Sequence, residues 1–393
     1  MPGVTRSVWQ SRKAAREACD VCIVGAGILG ASTAWWLGKL APRLRVVVVD
    51  ARWPAYGASG RNAGFLLQGA VTDYVSDIRL YGIDRARALR TFTHENRDQL
   101  LAEIPTESFG FVPSGSLTVA GETEEEERLR ESAALMDRDG FPAELLGASA
   151  VNTRLGSKDY RSGLLVPTGG MLNPAELVGQ LIARSGATSH THRPVLHVDA
   201  DAVEGGDFRI AAGTVVVCAG PWTAELLPEA ARFVRPVRAQ MMALEPARPM
   251  TLDLPIYSHE GFYYLRPDPR GRILVGGARH LHREVEVGFR DATTPALQAD
   301  LLDYARRHFP ELARARKVTA WAGTMGFSPD GLPFVGRVPS GAYLATGFTG
   351  HGMAYGFRSG RLLANLVTGT EDPFAALFDP ERPTAAASQC ASD

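Results

Sequence analysis

The chain has 393 residues, and its 42 lysines and arginines nearly balance its 43 aspartates and glutamates, giving a formal net charge of -1. This length predicts two domains, because a single hydrophobic core stops growing at about 250–300 residues. The balanced charge argues against nucleic acid or an anionic membrane surface as a partner. Four cysteines, Cys19, Cys22, Cys218 and Cys390, are too few for a disulfide framework, so we expect a reducing compartment, the cytoplasm.

The first predicted elements follow a basic segment, residues 1–17, which we expect to lie on the surface. Residues 21–37 form an uncharged run of 17 residues. Asp20 directly precedes this run and three glycines interrupt it, so a membrane span or a signal peptide is disfavoured. We predict instead a buried strand from Asp20 to Val24, a glycine turn, and a buried helix from Ile28 to Leu40.

The later elements alternate between α/β segments and other material. Four valines before Asp50 predict a strand buried on both faces, as in a parallel sheet. Helices are predicted at residues 84–104, at the acidic run 124–127, where negative charge suits a helix start, and from Pro174, with Asn173 as its N-cap. Short strands separated by Pro and Gly over residues 233–290 predict an antiparallel sheet, and a helix follows from about Thr294.

The α/β pattern occurs three times along the chain and is interrupted twice. We therefore predict an α/β fold in which a Rossmann-like nucleotide-binding domain is discontinuous and the insertions build a second α+β domain on an antiparallel sheet. The predicted nucleotide-binding domain comprises residues 18–90, 150–228 and 318–380, the second domain residues 91–149 and 229–317, and the surface extensions residues 1–17 and 381–393.

A motif of the form G-x-G-x-x-G occupies residues 25–30, after the first predicted strand and at the start of a helix. Gly25 permits a tight turn, Gly27 lets the backbone approach a pyrophosphate, and Gly30 lets the helix pack on the sheet. The helix N-terminus offers free N–H groups to the phosphates. Asp50, 20 residues past Gly30, would accept hydrogen bonds from a ribose hydroxyl. The motif predicts a dinucleotide site without distinguishing NAD from FAD.

Two further glycine-rich segments favour FAD. Residues 57–64, GASGRNAG, follow the second predicted strand, and residues 347–353, GFTGHGM, run into the last predicted helix. A second helix N-terminus suits a cofactor with an additional negative charge, such as the N1/C2 oxygen edge of a reduced flavin.

The sequence resembles the FAD-dependent oxidoreductases of the D-amino-acid-oxidase superfamily, in particular the glycine oxidase, sarcosine oxidase and gamma-glutamylputrescine oxidase group. The resemblance rests on VCIVGAGILG with Asp50, GASGRNAGF, CAGPWT, SPDGLPFVG and GFTGHGMAYGFRSGRLLANLVTG, which occur in this order over nearly the whole chain. It implies a split FAD-binding domain and a substrate domain whose antiparallel sheet covers the flavin.

The resemblance also implies a reaction and a set of residues that hold non-covalently bound FAD. The implied cofactor-binding residues are Gly25, Gly27, Ile28, Gly30, Asp50, Ser59, Gly60, Val195, Ala219, Gly220, Gly350, Gly352 and Met353. A small amine or amino acid would be oxidised at a C–N bond by hydride transfer to flavin N5, and the imine would be hydrolysed to a carbonyl product. Oxygen or another acceptor would then reoxidise the flavin.

Four positions depart from the pattern of this family. Met325 stands where related oxidases carry a carboxylate-binding arginine, Ala354 and Leu274 stand in place of lysines, and Gly323 lies in a loop without the cysteine of covalent attachment. Because a buried carboxylate that loses its partner costs about 3–5 kcal/mol, the absent cations predict an amine or a substrate with a remote carboxylate. Candidate replacement cations are Arg266, Arg279 and His280.

Aromatic residues around 257–264 are expected to cover the flavin, where they would suit an amine through packing and cation–π attraction. Ordinary packing within a sheet is an alternative reading of each ring. The predicted substrate-binding residues are Phe262, Tyr264, Arg279, Trp321 and Met325. The predicted catalytic residues are Tyr257 and His280, which would lower the proton affinity of the amine, and His351, for which a role in shaping the backbone is equally compatible.

Two other functions remain open from the sequence. An NAD-dependent dehydrogenase would explain the motif at 25–30 and Asp50, but it would leave residues 57–64 and 347–353 without a role. A non-catalytic FAD-binding module would explain every glycine segment without turnover. No metal site and no membrane span is predicted, and the sequence leaves the substrate, the electron acceptor and the oligomeric state open.

Overall fold

The computed structural model describes residues 15–70 and 72–384, so most of the two predicted surface extensions, residues 1–14 and 385–393, lies outside it. Its strands are β1 (Ala15–Val24), β2 (Val46–Val49), β3 (Phe65–Leu66), β4 (Ser116–Ala120), β5 (Glu144–Gly147), β6 (Ser162–Val166), β7 (Gly170–Met171), β8 (Thr188–His190), β9 (Val195–Val198), β10 (Ala202–Gly205), β11 (Phe208–Val217), β12 (Arg235–Glu245), β13 (Ile256–Ser258), β14 (Tyr263–Pro267), β15 (Ile273–Gly277), β16 (Arg316–Phe327), β17 (Phe334–Arg337) and β18 (Tyr343–Thr346). Its helices are α1 (Ile28–Leu40), α2 (Ala58–Arg61), α3 (Tyr74–Tyr81), α4 (Ile83–Glu103), α5 (Thr123–Arg138), α6 (Ala148–Leu155), α7 (Pro174–Arg184), α8 (Thr223–Leu226), α9 (Pro295–His308), α10 (Gly352–Val367) and α11 (Ala375–Phe378).

The first sheet has β1 at its centre and runs in the order β17-β18-β11-β1-β2-β8, with β10 and β9 added beside β11. β1 pairs in parallel with both β2 and β11, and β11 pairs in parallel with β18. All four valines of β2 are buried, because α1 and α10 cover one face of the sheet and a second apolar cluster covers the other. The predicted α/β arrangement is confirmed.

The second sheet runs in the order β16-β12-β15-β14-β13-β4-β6-β5, and all of its pairs are antiparallel except β13 with β4. Its residues alternate between two faces, as a pleated strand requires. One face packs Ile256, Leu265 and Val275 against α9 in a separate core. The opposite face carries Tyr257 and Tyr264 and borders a cavity.

The two sheets divide the chain differently from the predicted domain boundaries. α4 buries Leu89, Phe92 and Leu100 in the same core as α1, so the first unit continues beyond residue 90. β6 pairs with β4, and β16 pairs with β12, so residues 162–166 and 316–327 belong to the second sheet. Residues 162–166 and 318–327 of these strands were predicted to lie in the nucleotide-binding domain.

Both predicted extensions also contain structured residues. β1 begins at Ala15, which pairs with Phe208, so the last three residues of the predicted N-terminal extension belong to this strand. Arg382 is buried and forms an ion pair of 3.0 Å with Asp330, so the start of the C-terminal extension is anchored to the first unit.

The uncharged run at the N-terminus forms β1, a turn and α1, a helix of 13 residues. A helix of that length spans about 20 Å, less than the roughly 30 Å of a bilayer core. Among residues 15–70 and 72–384, no helix has the length and the apolar composition needed to cross a membrane.

Candidate active site

A cavity of about 1240 Å³ lies between the carboxyl ends of β1, β2 and β11 and the open face of the second sheet. It exceeds the roughly 300–1,000 Å³ of pockets for drug-sized ligands, so it can hold a dinucleotide together with a substrate. The predicted site residues that line it are Gly25, Gly27, Ile28, Asp50, Ser59, Val195, Ala219, Gly220, Tyr257, Phe262, Tyr264, Arg279, Met325, Gly350, His351, Gly352 and Met353. Gly30, Gly60, His280 and Trp321 do not line it.

One wall, which we call the glycine wall, is formed by residues 25–30, 57–64 and 347–353. Gly25 has a left-handed φ of 106°, and a Cβ at this position would lie 2.5 Å from the carbonyl oxygen of Cys218. A Cβ on Gly30 would lie 1.8 Å from the carbonyl oxygen of Gly25. Gly30 thus allows the helix to pack against the turn, while the cavity is bordered by Gly25 and Gly27.

The carboxylate of Asp50 is held at the carboxyl end of β2 by two backbone donors. Its Oδ2 accepts from the N–H of Ala26 and its Oδ1 accepts from the N–H of Arg52, both at 2.7 Å. Each carboxylate oxygen has a further lone pair, so the side chain can also accept from a ribose hydroxyl in the cavity.

Ser59 connects the segment 57–64 to the first turn of α1. Its Oγ accepts a hydrogen bond of 2.9 Å from the N–H of Ile28, one of the free donors at the N-terminus of α1. Gly60 turns away from the cavity, because a Cβ on it would lie 2.2 Å from the carbonyl oxygen of Ala55. The two predicted cofactor-binding residues Ile28 and Ser59 are therefore hydrogen-bonded to each other.

The third segment of the glycine wall brings the N-terminus of α10 to the cavity. Nδ1 of His351 lies 3.2 Å from the carbonyl oxygen of Thr349, and burial lowers the pKa of this imidazole. A Cβ on Gly350 would lie 3.5 Å from Sδ of Met325, so this thioether packs against the turn before α10. The helix begins with a neutral imidazole and an apolar side chain beside it.

The opposite wall, which we call the strand wall, is the open face of the second sheet. Cross-strand pairing aligns Gly276 with Tyr264, Tyr264 with Tyr257, Tyr257 with Thr118, and Thr118 with Leu164. A Cβ on Gly276 would lie 2.3 Å from the ring of Tyr264, so the glycine leaves room for that ring. Residues of five strands, some of them far apart in sequence, therefore form one row.

Three rings of the cavity lining pack edge to face and form the aromatic cluster, Phe65, Tyr257 and Tyr264. The ring centroids of Phe65 lie 5.3 Å from Tyr257 and 6.1 Å from Tyr264, and the two tyrosines are 6.0 Å apart. Burial raises the pKa of Tyr264 to about 12 and that of Tyr257 further, so both hydroxyls are protonated at neutral pH. Sequence reasoning did not single out Phe65, although it ends the segment GASGRNAGF.

Arg266 lines no part of the cavity and has a structural role. Its Nη1 donates to the carbonyl oxygens of Ala63, Gly64 and Leu172 at 2.9–3.0 Å. Burial lowers the pKa of this guanidinium to about 10, and it remains charged at neutral pH. Since its donors hold the end of the segment 57–64, Arg266 is not available to a substrate carboxylate.

The two other candidate cations differ from each other. His280 stacks on Phe262 at 4.4 Å between ring centroids, outside the cavity lining, and burial lowers its pKa to about 4. It is therefore neutral at physiological pH and packs behind the wall. Arg279 lines the cavity, lies over the ring of Phe327 at 4.8 Å, and forms no ion pair with the described part of the chain.

Trp321 and Arg61 connect the two walls. The indole Nε1 of Trp321 donates to the carbonyl oxygen of Arg61 at 2.9 Å, and the guanidinium of Arg61 donates to the carbonyl oxygen of Ala322 at 2.8 Å. Trp321 thereby positions segment 57–64 and does not face the cavity. Arg61, which lines the cavity, was missed because the sequence gives no signal for a bond to a strand 260 residues away.

The fold and the cavity define a two-unit protein with a dinucleotide-sized site at the carboxyl ends of a parallel sheet. Residues 20–366 match the family described as FAD dependent oxidoreductase, DAO, and the chain belongs to this family. The predicted family, cofactor and class of enzyme are confirmed, and the alternative of an NAD-dependent dehydrogenase is wrong because the matched family uses FAD.

Similar proteins cover nearly the whole chain. Gamma-glutamylputrescine oxidoreductase of Escherichia coli K12 is 27% identical over 380 residues, 91% of this chain and 85% of the relative. Glycine oxidase of Geobacillus kaustophilus is 27% identical over 376 residues, 90% of this chain and 94% of the relative. The crystal structure of glycine oxidase from Bacillus cereus superimposes with a TM-score of 0.78 at 22% identity, covering 93% of this chain and 99% of that one.

Proposed function

We propose that this FAD-dependent enzyme oxidises a C–N bond of a small amine, or of an amino compound whose carboxylate lies far from the reacting carbon. When bound, FAD supplies the electron acceptor, N5 of its ring, and the imine product is hydrolysed by water to a carbonyl compound. The observation that carries the proposal is the aromatic cluster, which borders the same cavity as the N-terminus of α10.

The residues of the chain fit FAD on geometric grounds. Gly25 and Gly27 leave space for a pyrophosphate at α1, Asp50 presents a carboxylate to the ribose, and the first N–H groups of α10 suit the anionic edge of the ring. Cys218 lines the cavity, but burial raises the pKa of its thiol to about 12. A protonated thiol is a poor nucleophile, which supports non-covalent binding.

The aromatic cluster would orient the amine and favour its reactive form. The faces of aromatic rings attract a cationic amine by about 0.5–2 kcal/mol, and burial in the cavity favours the uncharged amine that the oxidation needs. The tyrosine hydroxyls cannot act as general bases near neutral pH, because burial holds their pKa values high. Orientation and desolvation are therefore the contributions that we assign to Tyr257 and Tyr264.

A free α-amino acid is the second candidate substrate. Arg279 favours it, because this cation lines the cavity, forms no ion pair with described residues, and approaches Tyr264 closely enough to lower the pKa of that hydroxyl against the larger effect of burial. Met325 argues against it, since a thioether packs beside Gly350 where the related oxidases bind a carboxylate.

The test is the bleaching of the flavin absorbance in the holoenzyme without oxygen. Butylamine, 1,4-diaminobutane, glycine, sarcosine and D-alanine are mixed separately with the enzyme, and dithionite reduction shows that the flavin can be reduced. We expect rapid bleaching by the amines. Bleaching by glycine or sarcosine with none by either amine would overturn the proposal, and bleaching only by dithionite would favour a non-catalytic FAD-binding module.

A further inference from the structure

We propose that the cavity binds the anionic end of a bifunctional substrate at Arg90, on the far side of the aromatic cluster. This inference deepens the proposed function and rests on it for the amine end of the substrate. The site, which we call the Arg90 lobe, is the part of the cavity lined by Gln68, Tyr74, Arg90, Ser116, Leu164 and Val166.

Arg90 lies on α4 with its side chain almost fully buried, at 5% exposure. Its Nε and Nη1 have no hydrogen-bond partner within residues 15–70 and 72–384. The rings of Tyr74 and Phe141 lie 4.9 and 5.6 Å from the guanidinium carbon and provide only cation–π contacts. Because a buried charge without a hydrogen-bonded partner is costly, the lobe is suited to an anion that brings its own acceptors.

The acidic residues nearby are engaged elsewhere. Burial lowers the pKa of the Arg90 guanidinium, and the charge of Asp77 raises it against this larger effect. The Asp77 carboxylate itself accepts from Oγ1 of Thr72 at 2.7 Å and from the N–H of Ala70 at 3.4 Å, and it forms no ion pair with Arg90 in the described structure. Asp73 caps α3 by accepting from the N–H of Ser76 at 2.9 Å, and it also faces Arg128 at 3.5 Å. No carboxylate among the described residues therefore accepts a hydrogen bond from Nε or Nη1 of Arg90.

The lobe contains a second buried hydrogen-bond donor that, like Nε and Nη1 of Arg90, has no partner within the described part of the chain. The amide Nε2 of Gln68 has no partner among the described residues, while its Oε1 accepts from Oγ1 of Thr168 at 2.9 Å. Between the two lies Gly69, where a Cβ would be 2.9 Å from Nη2 of Arg90. Glycine here lets the backbone approach the guanidinium closely, and the unmatched donors on both sides indicate a ligand with acceptor oxygens.

The strand wall sets the distance between the two ends of the ligand. Tyr257 is paired with Thr118, and Thr118 with Leu164, so two strand spacings separate the aromatic cluster from the lobe. Strands lie about 4.8 Å apart, so Tyr257 and Leu164, which borders the lobe, are about 10 Å apart, and we take this as the separation of the amine and the anion. The ligand class is therefore an extended aliphatic amine that ends in a carboxylate, such as a long ω-amino acid.

The test compares 8-aminooctanoate with octylamine in anaerobic reduction of the holoenzyme. For each compound the apparent dissociation constant is measured in the wild type, Arg90→Gln and Arg87→Gln. Arg87 is the control because it lies on the same helix, is solvent-exposed and pairs with Asp139 at 2.7 Å. We expect the dissociation constant of 8-aminooctanoate, divided by that of octylamine, to rise on the order of 10- to 100-fold in Arg90→Gln. The same ratio should stay at the wild-type value in Arg87→Gln.

A second readout does not depend on turnover. Binding of octanoate and octanamide is followed by the perturbation of the flavin spectrum, and we expect the preference for octanoate to fall in Arg90→Gln. If Arg90→Gln does not fold, Arg90→Lys is measured in its place. The wild type is then also tested for a preference for octanoate over octanamide. Equal binding of the two compounds by the wild type would overturn the proposal.

The outcomes separate this inference from the proposed function. If no amine bleaches the flavin but Arg90→Gln still loses octanoate binding, the anion site stands and the amine oxidation fails. If amines bleach the flavin and Arg90→Gln leaves both ratios at wild-type values, the anion site fails and the amine oxidation stands.

Discussion

The glycine wall and the strand wall enclose the same cavity but are built by different means. The glycine wall consists of three short segments in which backbone groups and missing side chains do the work, as at Gly25 and Gly27. The strand wall consists of side chains, such as Tyr257 and Tyr264, that meet only through strand pairing. A site made from backbone turns is local in sequence, whereas a site made from a row across a sheet depends on register.

The largest effect that distinguishes the walls is expected at Gly30. In Gly30→Ala the new Cβ would lie 1.8 Å from a carbonyl oxygen, so α1 must move away from the turn. We expect a loss of about 3 kcal/mol or more in the free energy of unfolding, together with loss of FAD. Urea unfolding and the ratio of flavin to protein absorbance measure both.

The matched control is Gly179→Ala. Gly179 also lies within a helix, α7, but nothing is within 4 Å of a Cβ placed on it. Alanine there should leave stability unchanged or raise it by up to about 1 kcal/mol. Equal behaviour of the two variants would show that the glycine wall does not need its close packing.

The next largest effect is expected at Asp50, whose side chain lies beside the glycine wall and would bind the ribose. Asp50→Ala removes the acceptor for the N–H groups of Ala26 and Arg52, so we expect FAD affinity to fall on the order of 10- to 100-fold. Fluorescence titration of the apoprotein with FAD measures the change. Asp20→Ala is the control, because Asp20 accepts from the N–H of Arg45 at 2.7 Å at the opposite end of β2 and should leave FAD affinity unaltered.

Tyr257 tests whether the strand wall acts through its rings. Replacement by leucine should lower kcat/KM for amines by roughly 2- to 30-fold, the range of a cation–π contact, while replacement by phenylalanine should keep it near the wild-type value. Steady-state kinetics with the amine that bleaches the flavin fastest gives the comparison. A larger loss in Tyr257→Phe than in Tyr257→Leu would assign the function to the hydroxyl group.

The smallest effect is expected behind the strand wall, at His280. Burial first, and then the charge of Arg283, lowers the pKa of this imidazole from 6.5 to about 4. Between pH 6.5 and pH 4 the unfolded chain therefore binds the proton more readily than the folded one, and stability falls as the pH decreases.

His280→Phe keeps the stacking on Phe262 and removes this titration. We expect the loss of stability between pH 7.5 and pH 5 to shrink by about 1 kcal/mol, less than the full linkage because the imidazole is only half-buried. Urea unfolding at the two pH values measures it. An unchanged pH dependence would indicate that His280 titrates normally in the folded protein.

Sequence reasoning located the glycine wall well and the strand wall only in part. The segments around Gly25, Ser59 and Gly350 were identified because turn geometry restricts residue type at consecutive positions. His280 and Trp321 were placed in the substrate site, yet one stacks behind Phe262 and the other bonds to the carbonyl of Arg61. Alternation along a strand predicts which face of the sheet a side chain lies on, but not which other residue packs against it.

The sequence by itself determined the α/β class, the dinucleotide turn and the FAD family, since each depends on residues that are neighbours in the chain. Only the tertiary structure decided that β6 and β16 join the second sheet and that Phe65 completes the aromatic cluster. It also decided that the guanidinium of Arg266 donates its hydrogen bonds to backbone carbonyl groups. It also left Nε and Nη1 of Arg90 buried without a hydrogen-bond partner among the described residues. These features depend on pairings between segments about 40 to 200 residues apart. Short-range patterns do not specify strand register or which hydrogen-bond donors already have partners.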